Sequence, residues 1–205
     1  YLKDLNFLFD GKVKIDYFNE KIDYYGNFYY ENLQSNINVE MTKKIAKFYL
    51  VSEPFKSLKF LKNFLHLPNI AESWMYDNVK GDIKIEELYA EYDLINNHII
   101  ENSIQGKAQI KDAKIRFHKD VDAVNTKSLD IFFKDNRLHF NLMEPMFKDK
   151  KLDGSFVLIN NLTSEKNGQV DVFLKTNSKL DKDILDILKA YNITLPIIQK
   201  NGKKN

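Results

Sequence analysis

Cysteine is absent from this chain of 205 residues, which excludes disulfides, thiol nucleophiles and cysteine-held metals and fits an oxidising or a reducing compartment equally. Arginine is scarce: Arg116 and Arg137 are the only two among 31 basic residues, set against 29 acidic ones for a net charge of +2. Nucleic-acid binders carry a basic stripe with arginines that fork onto phosphates and guanines, so nucleic acid is not expected as a partner. No apolar run is long enough to span a bilayer as a helix. Nor is there a Gly-x-Ser-x-Gly, a His-Glu-x-x-His or a phosphate-cradling glycine loop, and with none of these the chain reads as non-enzymatic and cofactor-free. Position 1 is tyrosine and no basic segment leads into an apolar one there, so the expectation is a fragment of a longer chain whose targeting segment lies upstream.

What the chain does have is a core-forming composition, 43% hydrophobic and 29% charged, and enough length to bury about 70% of its unfolded surface as one domain. Six of its seven glycines precede the same pattern: Gly11, Gly26, Gly81, Gly106, Gly154 and Gly168 each have apolar or aromatic residues at +2 and +4. A period of two is the mark of a strand with one buried face, and the glycine supplies a turn, bulge or bend at its start. Residues 1–41 accordingly read as N-terminal strands, with a turn at Asn19-Glu20. Residues 81–176 read as the main antiparallel sheet, with turns at Asn96-Asn97 and Asp135-Asn136 and separate strands ending at Ile110 and running through Ala113, Ile115 and Phe117. In Phe156-Val-Leu-Ile159 both alternating sets are apolar, as in a strand covered on both faces.

Between them the period changes. Ile45, Phe48 and Tyr49 are spaced by three and four; Phe55, Leu58, Leu61 and Leu65 form one apolar face; Asn69 is a suitable N-cap for a third helix carrying Ile70 and Trp74 inward. This predicts a helical insertion over residues 42–80. A C-terminal helix is predicted over residues 178–192, opened by Ser178-x-x-Asp181 with Ile184, Leu185, Leu188 and Tyr191 on its inner face. The expected fold is α+β and mainly β: a curved antiparallel sheet with a helical insertion and a C-terminal helix.

The order Leu67-Pro68, Trp74, Gly81 with its long strand, Ala113-Lys-Ile-Arg-Phe117, a gap of about ten residues, Leu129-Asp-Ile-Phe-Phe133 and Leu138-His-Phe-Asn-Leu142 resembles the uncharacterised domain of AsmA-like, YhdP-type bacterial envelope proteins. The resemblance covers roughly residues 58–188. Where that family tends to have proline and a further glycine, this chain has His118-Lys-Asp-Val-Asp-Ala-Val-Asn-Thr126. The resemblance implies a periplasmic location, an inner-membrane anchor outside these residues, and an apolar trough that takes part in moving phospholipid toward the outer membrane. The partners it implies are phospholipid acyl chains and the remaining domains of the same protein.

The alternating strands then supply candidate trough-lining residues: Val13, Ile15, Tyr17, Ile83, Ile85, Ile115, Phe117, Leu138 and Phe140. The same face would serve equally as packed core, and sequence leaves both open. A second function is a scaffolding module that docks another envelope protein through a sheet edge or helical face. Glu86 and Glu87 are neighbours on a strand and so unsuited to paired acid/base work, and no metal is expected, the period-two set His118, Asp120 and Asp122 reading as a solvated loop. Lys148, Lys150, Lys151, Lys203 and Lys204 are candidates for anionic headgroups.

Overall fold

A computed structural model describes residues 7–59, 62, 72, 76–161 and 169–193. Among these, thirteen strands form one antiparallel sheet: β1(Phe7–Asp16), β2(Lys21–Tyr30), β3(Leu33–Met41), β4(Ile45–Ser52), β5(Val79–Asp93), β6(His98–Ile99), β7(Gln105–Ile115), β8(Val124–Lys134), β9(Arg137–Met143), β10(Met146–Phe147), β11(Lys150–Lys151), β12(Phe156–Asn160) and β13(Gln169–Phe173). The main path runs β1-β2-β3-β4-β5-β7-β8-β9-β12-β13, with β6, β10 and β11 as short side branches. Short connections make sequence neighbours spatial neighbours, as antiparallel hairpins require. At Asp135-Asn136 both residues have positive φ (51° and 58°), the geometry of a two-residue hairpin turn with matching twist.

The C-terminal helix, α1(Lys182–Ala190), lies within the range expected for it. Its N-cap is Asp181, whose side chain accepts from the amides of Asp183 and Ile184. The half-buried side is Ile184, Ile187 and Leu188, whereas Leu185 is exposed.

The first stretch of the expected helical insertion is instead a strand. Ile45 to Ser52 form β4, paired residue for residue with β3 and β5, and Ala46, Phe48, Leu50 and Ser52 share one face. The spacing of Ile45, Phe48 and Tyr49 fits a helix, but β-branched and aromatic residues on both faces favour a strand enclosed between two others, and tertiary pairing wins. Pro54 cannot donate to a ladder, and β4 ends just before it. The Ser52 hydroxyl accepts the Ile85 amide at 2.8 Å, and Phe55 exchanges two backbone hydrogen bonds with Ile83, also at 2.8 Å, before the chain leaves the sheet. Leu61, Leu65, Asn69, Ile70 and Trp74 lie outside the described residues.

Phase changes occur on β7, on β5 and on β8, where Thr126 and Leu129 are both buried three residues apart. Along β7, Ile110 and Ala113 are both buried, because an extra residue at Asp112 (φ +48°) and its neighbour oppose Gly81 of β5. What reads as two strands, one ending at Ile110 and one through Ala113, Ile115 and Phe117, is therefore a single bulged strand ending at Ile115. A second bulge, at Glu86 and Glu87 of β5, shifts the inward set from Ile83 and Ile85 to Leu88, Ala90 and Tyr92.

The glycines depart from their expected places. Gly11 and Gly26 sit opposite each other in mid-strand, where a Cβ on either would lie 2.3 Å from a carbonyl oxygen of the opposite strand; close approach, not strand initiation, demands glycine there. After Gly154 the buried set is Val157 and Ile159, not Phe156 and Leu158, which are half-buried. The core lies under β5 to β12, where Ile83, Ile110, Ile115, Leu129, Phe140, Val157 and Ile159 are almost wholly shielded and are joined by Phe55, Phe147 and Leu152 from segments outside the long strands.

Candidate functional site

Residues paired directly across an antiparallel ladder point to the same face. One such row crosses every strand of the main path. It runs Gly11, Gly26, Ile37, Leu50 and Leu88 over β1 to β5, and continues Gly106, Phe133, Leu138, Ile159 and Val170 over β7 to β13. No polar side chain interrupts it. The neighbouring inner row on β1 to β5 is Val13, Tyr24, Val39, Phe48 and Ala90, while the row beside it on the outer face is Lys14, Asp23, Glu40, Lys47 and Glu91. On that outer face Lys21 pairs with Asp23 at 3.0 Å and Glu40 at 3.3 Å. On β1 to β5 the front is thus apolar, while the back carries this charged row beside a mixed one of Lys12, Tyr25, Asn38, Tyr49 and Tyr89.

The front is covered at one end and open at the other. Under β5 to β12 it is core. Over β1 and the Ile22 end of β2 it faces solvent: Val13 is 61% exposed, Ile15 51% and its cross-strand partner Ile22 39%, and Ile37, Phe48, Leu50 and Leu88 are only half-buried, whereas at the other end of β2 Tyr30 is buried with Leu33 of β3 in the core. Phe9 stands on this face with its ring 5.8 Å from Tyr24 in an edge-on contact and 5.1 Å from Phe28. The Tyr24 hydroxyl lies over the Gly11–Gly26 pair and donates to the Asn27 carbonyl at 3.1 Å, so the bare backbone is roofed by an aromatic ring.

The nine candidate lining residues divide accordingly. Val13 and Ile15 line the open part; Tyr17 lies beyond it in the β1–β2 turn; Ile83, Ile85, Ile115, Leu138 and Phe140 are buried in the core, and Phe117 packs against it. Ile22, Ile37, Phe48 and Leu50 complete the open surface and were not singled out from sequence. Their signal was the register: each pairs with an apolar residue or glycine already on that face.

Of the lysines expected at headgroups, Lys150 is buried and bridges Asp181 (2.8 Å), Asp149 (2.9 Å) and Asp183 (3.2 Å), while Lys148 reaches Asp183 (2.5 Å) and Asp122 (3.5 Å). These bridges tie α1 to the β10–β11 hairpin, and Tyr191 adds a hydrogen bond to the Phe117 carbonyl at 3.0 Å. The Lys150 side chain holds the carboxyls of Asp181 and Asp149 below the ordinary range, Lys148 and then Lys150 do so for Asp183, and the lysines are raised in turn, Lys150 chiefly by Asp181 and Lys148 chiefly by Asp183. Depressed carboxylates stabilise docking above about pH 4 and lose that contribution as pH falls through their lowered values; the raised lysines contribute below about pH 10.5 and lose it above. Amide exchange over 182–190, corrected for intrinsic rate, should therefore be slow at pH 7 and speed up progressively as pH falls through the lowered carboxylate values, and Lys150→Met should make it fast at pH 7 as well. Unchanged protection in that variant would mean that Ile184, Ile187 and Leu188 alone hold the helix.

His118, Asp120 and Asp122 do not converge: the His118 ring contacts Asp120 and Tyr191, and Asp122 turns to Lys148. Among the described residues no group of three or more histidine, aspartate and glutamate side chains could hold a metal, and no helix is long and apolar enough to cross a membrane.

A model of the YhdP protein family matches residues 66–203, about two thirds of the chain. The chain belongs to the YhdP family. No curated protein and no solved structure matches it. Membership places it among AsmA-like envelope proteins. The YhdP match begins after β4, so it takes in the whole covered part of the sheet from β5 onward, while most of the open part, β1 to β4, precedes it.

Proposed function

We propose that this YhdP-family section is a non-enzymatic, periplasmic part of a protein anchored in the inner membrane elsewhere, and that the open front of its sheet shields acyl chains during phospholipid transport between the two membranes. The observation that carries this is the apolar front, whose Val13, Ile15 and Ile22 are open to solvent on β1 and β2 and which an unbroken row of apolar residues and glycines joins to the core under β5 to β12. Covering an acyl chain on such a surface stabilises it in water by about 0.8 kcal/mol per shielded CH₂, and no bond need be made or broken.

The test exchanges the cross-strand pair Ile15–Ile22 for opposite charges, Ile15→Lys with Ile22→Glu. A facing ion pair is compatible with the ladder but wets the front. The variant should retain its cooperative melt and lose uptake of a labelled fatty-acid probe; uptake equal to the parent's would remove the open front from the mechanism. Ile115→Glu is the contrasting control, since Ile115 has no exposure and a charge there should abolish the melt itself.

A second reading rests on β1. It pairs only with β2, leaving its other edge without a strand among the described residues, and such an edge is a template for strand addition by another envelope protein or a neighbouring section of the same one.

A further inference from the structure

Two turns at one end of the sheet are built alike. Asp16-Tyr17-Phe18-Asn19-Glu20 joins β1 to β2, and Asp93-Leu94-Ile95-Asn96-Asn97 joins β5 to β6. In the first, Asp16 Oδ1 accepts the amides of Phe18 and Asn19, both at 3.1 Å, and Oδ2 accepts the Asn19 side chain at 2.8 Å. In the second, Asp93 Oδ1 accepts the amides of Ile95 (2.8 Å) and Asn96 (3.0 Å), and Oδ2 accepts the Asn96 side chain at 2.8 Å. Each closes with a residue of positive φ, Glu20 at 51° and Asn97 at 59°. Strand alternation puts both at the same end as the Thr42–Lys44 turn. The three are tied together: Lys43 pairs with Glu20, and the Leu94 amide donates to the Lys44 carbonyl at 2.8 Å.

What these turns hold out is apolar. Tyr17 is 83% exposed, Phe18 fully so and Ile95 66%, although turn positions ordinarily go to small polar residues. A single exposed apolar side chain needs no explanation, but the same rigid turn built twice on one rim, each time lifting two large apolar residues off the sheet, is a patch with a purpose. Exposed Lys43 and Lys44 stand between the two tips. Below the first tip a shallow concavity of about 400 Å³, lined by Ile15, Ile22 and Met41 among others, leads into the open front.

We propose that the paired turns insert into a lipid bilayer surface, Tyr17, Phe18, Leu94 and Ile95 entering the headgroup–acyl boundary while exposed Lys44, beside the Lys43–Glu20 pair, faces anionic headgroups. Aromatic and aliphatic side chains flanked by lysines are the composition of that boundary, and the concavity is continuous with the surface assigned to acyl chains. The inference rests on the trough reading, to which it adds the end at which chains enter or leave.

The experiment uses the chain with vesicles of phosphatidylethanolamine and phosphatidylglycerol. Phe18→Ser with Ile95→Ser should keep the parent's melt and lower vesicle binding by about tenfold or more, while still loading a monomeric acyl probe from solution. Phe18→Trp, read against the parent with its own Trp74, should give emission that shifts to the blue on adding vesicles and is quenched by brominated acyl chains. Vesicle binding unchanged in the double serine variant, or a Phe18→Trp emission that ignores vesicles, overturns the proposal. So does a parent chain that dimerises in solution and becomes monomeric on the same substitutions, which would make a second copy the occupant. If only the trough reading fails, no variant takes up probe, yet the vesicle binding and the blue shift persist.

Discussion

Replacing Phe140 by alanine should lower stability by about 3–5 kcal/mol, the cost of removing a large ring from a site that cannot collapse around the loss. Among the described residues Phe140 is the largest of the fully buried side chains, packed in register between Ile131 of β8, also buried, and Val157 of β12, which has no exposure. For a domain of this size each kcal/mol moves the thermal midpoint by roughly 2–4 °C, so a fall of about 10 °C is expected in a calorimetric scan. The variant that remains folded should load an acyl probe as the parent does, because the residue belongs to the closed part of the front. A small loss of stability together with a large loss of probe uptake would be the reverse result, and would move the trough under β8 to β12.

Gly81→Val should be comparably damaging for a different reason. Gly81 has φ +151°, a conformation reserved for glycine, and a Cβ there would lie 2.5 Å from Ile110 Cγ2 and 2.6 Å from the Lys111 carbonyl oxygen. Strain and overpacking together should amount to about 3–5 kcal/mol in a denaturant titration. If the loss were under about 1 kcal/mol, the bulge would have to be able to relax to an ordinary ladder, and the parity of Ala113 and Ile115 would no longer depend on it.

Much of the sheet is legible in the sequence because a half-buried strand writes its burial every second residue: β1, β2, β9 and the part of β8 from Ser128 onward can be read from their alternation, whereas the first residues of β8 read as a gap. Alternation fails where the backbone itself changes phase. Ile110 and Ala113 are three apart on one strand, and nothing in Lys111-Asp112 announces that the intervening residue bulges. β4 misleads for the opposite reason, since apolar residues on both faces erase the period of two and leave an accidental helical spacing. The open front was only partly legible: sequence names an apolar face, but whether that face meets a partner depends on what the fold lays over it. Val13 and Phe140 have the same local pattern, and one is exposed while the other is buried. The insertion turns were hidden because their chemistry lies in an aspartate three residues ahead of an asparagine, a pattern too common to stand out until both copies are seen on one rim.

The two bulges of the β5–β7 ladder have opposite sign. One adds a residue to β7 opposite Gly81, the other adds a residue to β5 at Glu86 and Glu87, and between them only Asp82 to Ile85 run one step out of register. They behave as a plus and a minus frameshift in a coding sequence: the frame is lost after the first and restored after the second. If the β5 bulge flattened with no change in chain length, everything from β1 to β4 would slide by one residue against everything from β7 to β13 and half of the apolar face would turn to the back; removing the extra residue itself leaves the halves aligned, because Ile85, Glu87 and Leu88 then lie in step opposite Ala108, Lys107 and Gly106. Deletion of Glu86 should therefore be far better tolerated than deletion of a single residue elsewhere in β5, a constraint that no substitution at either site would reveal.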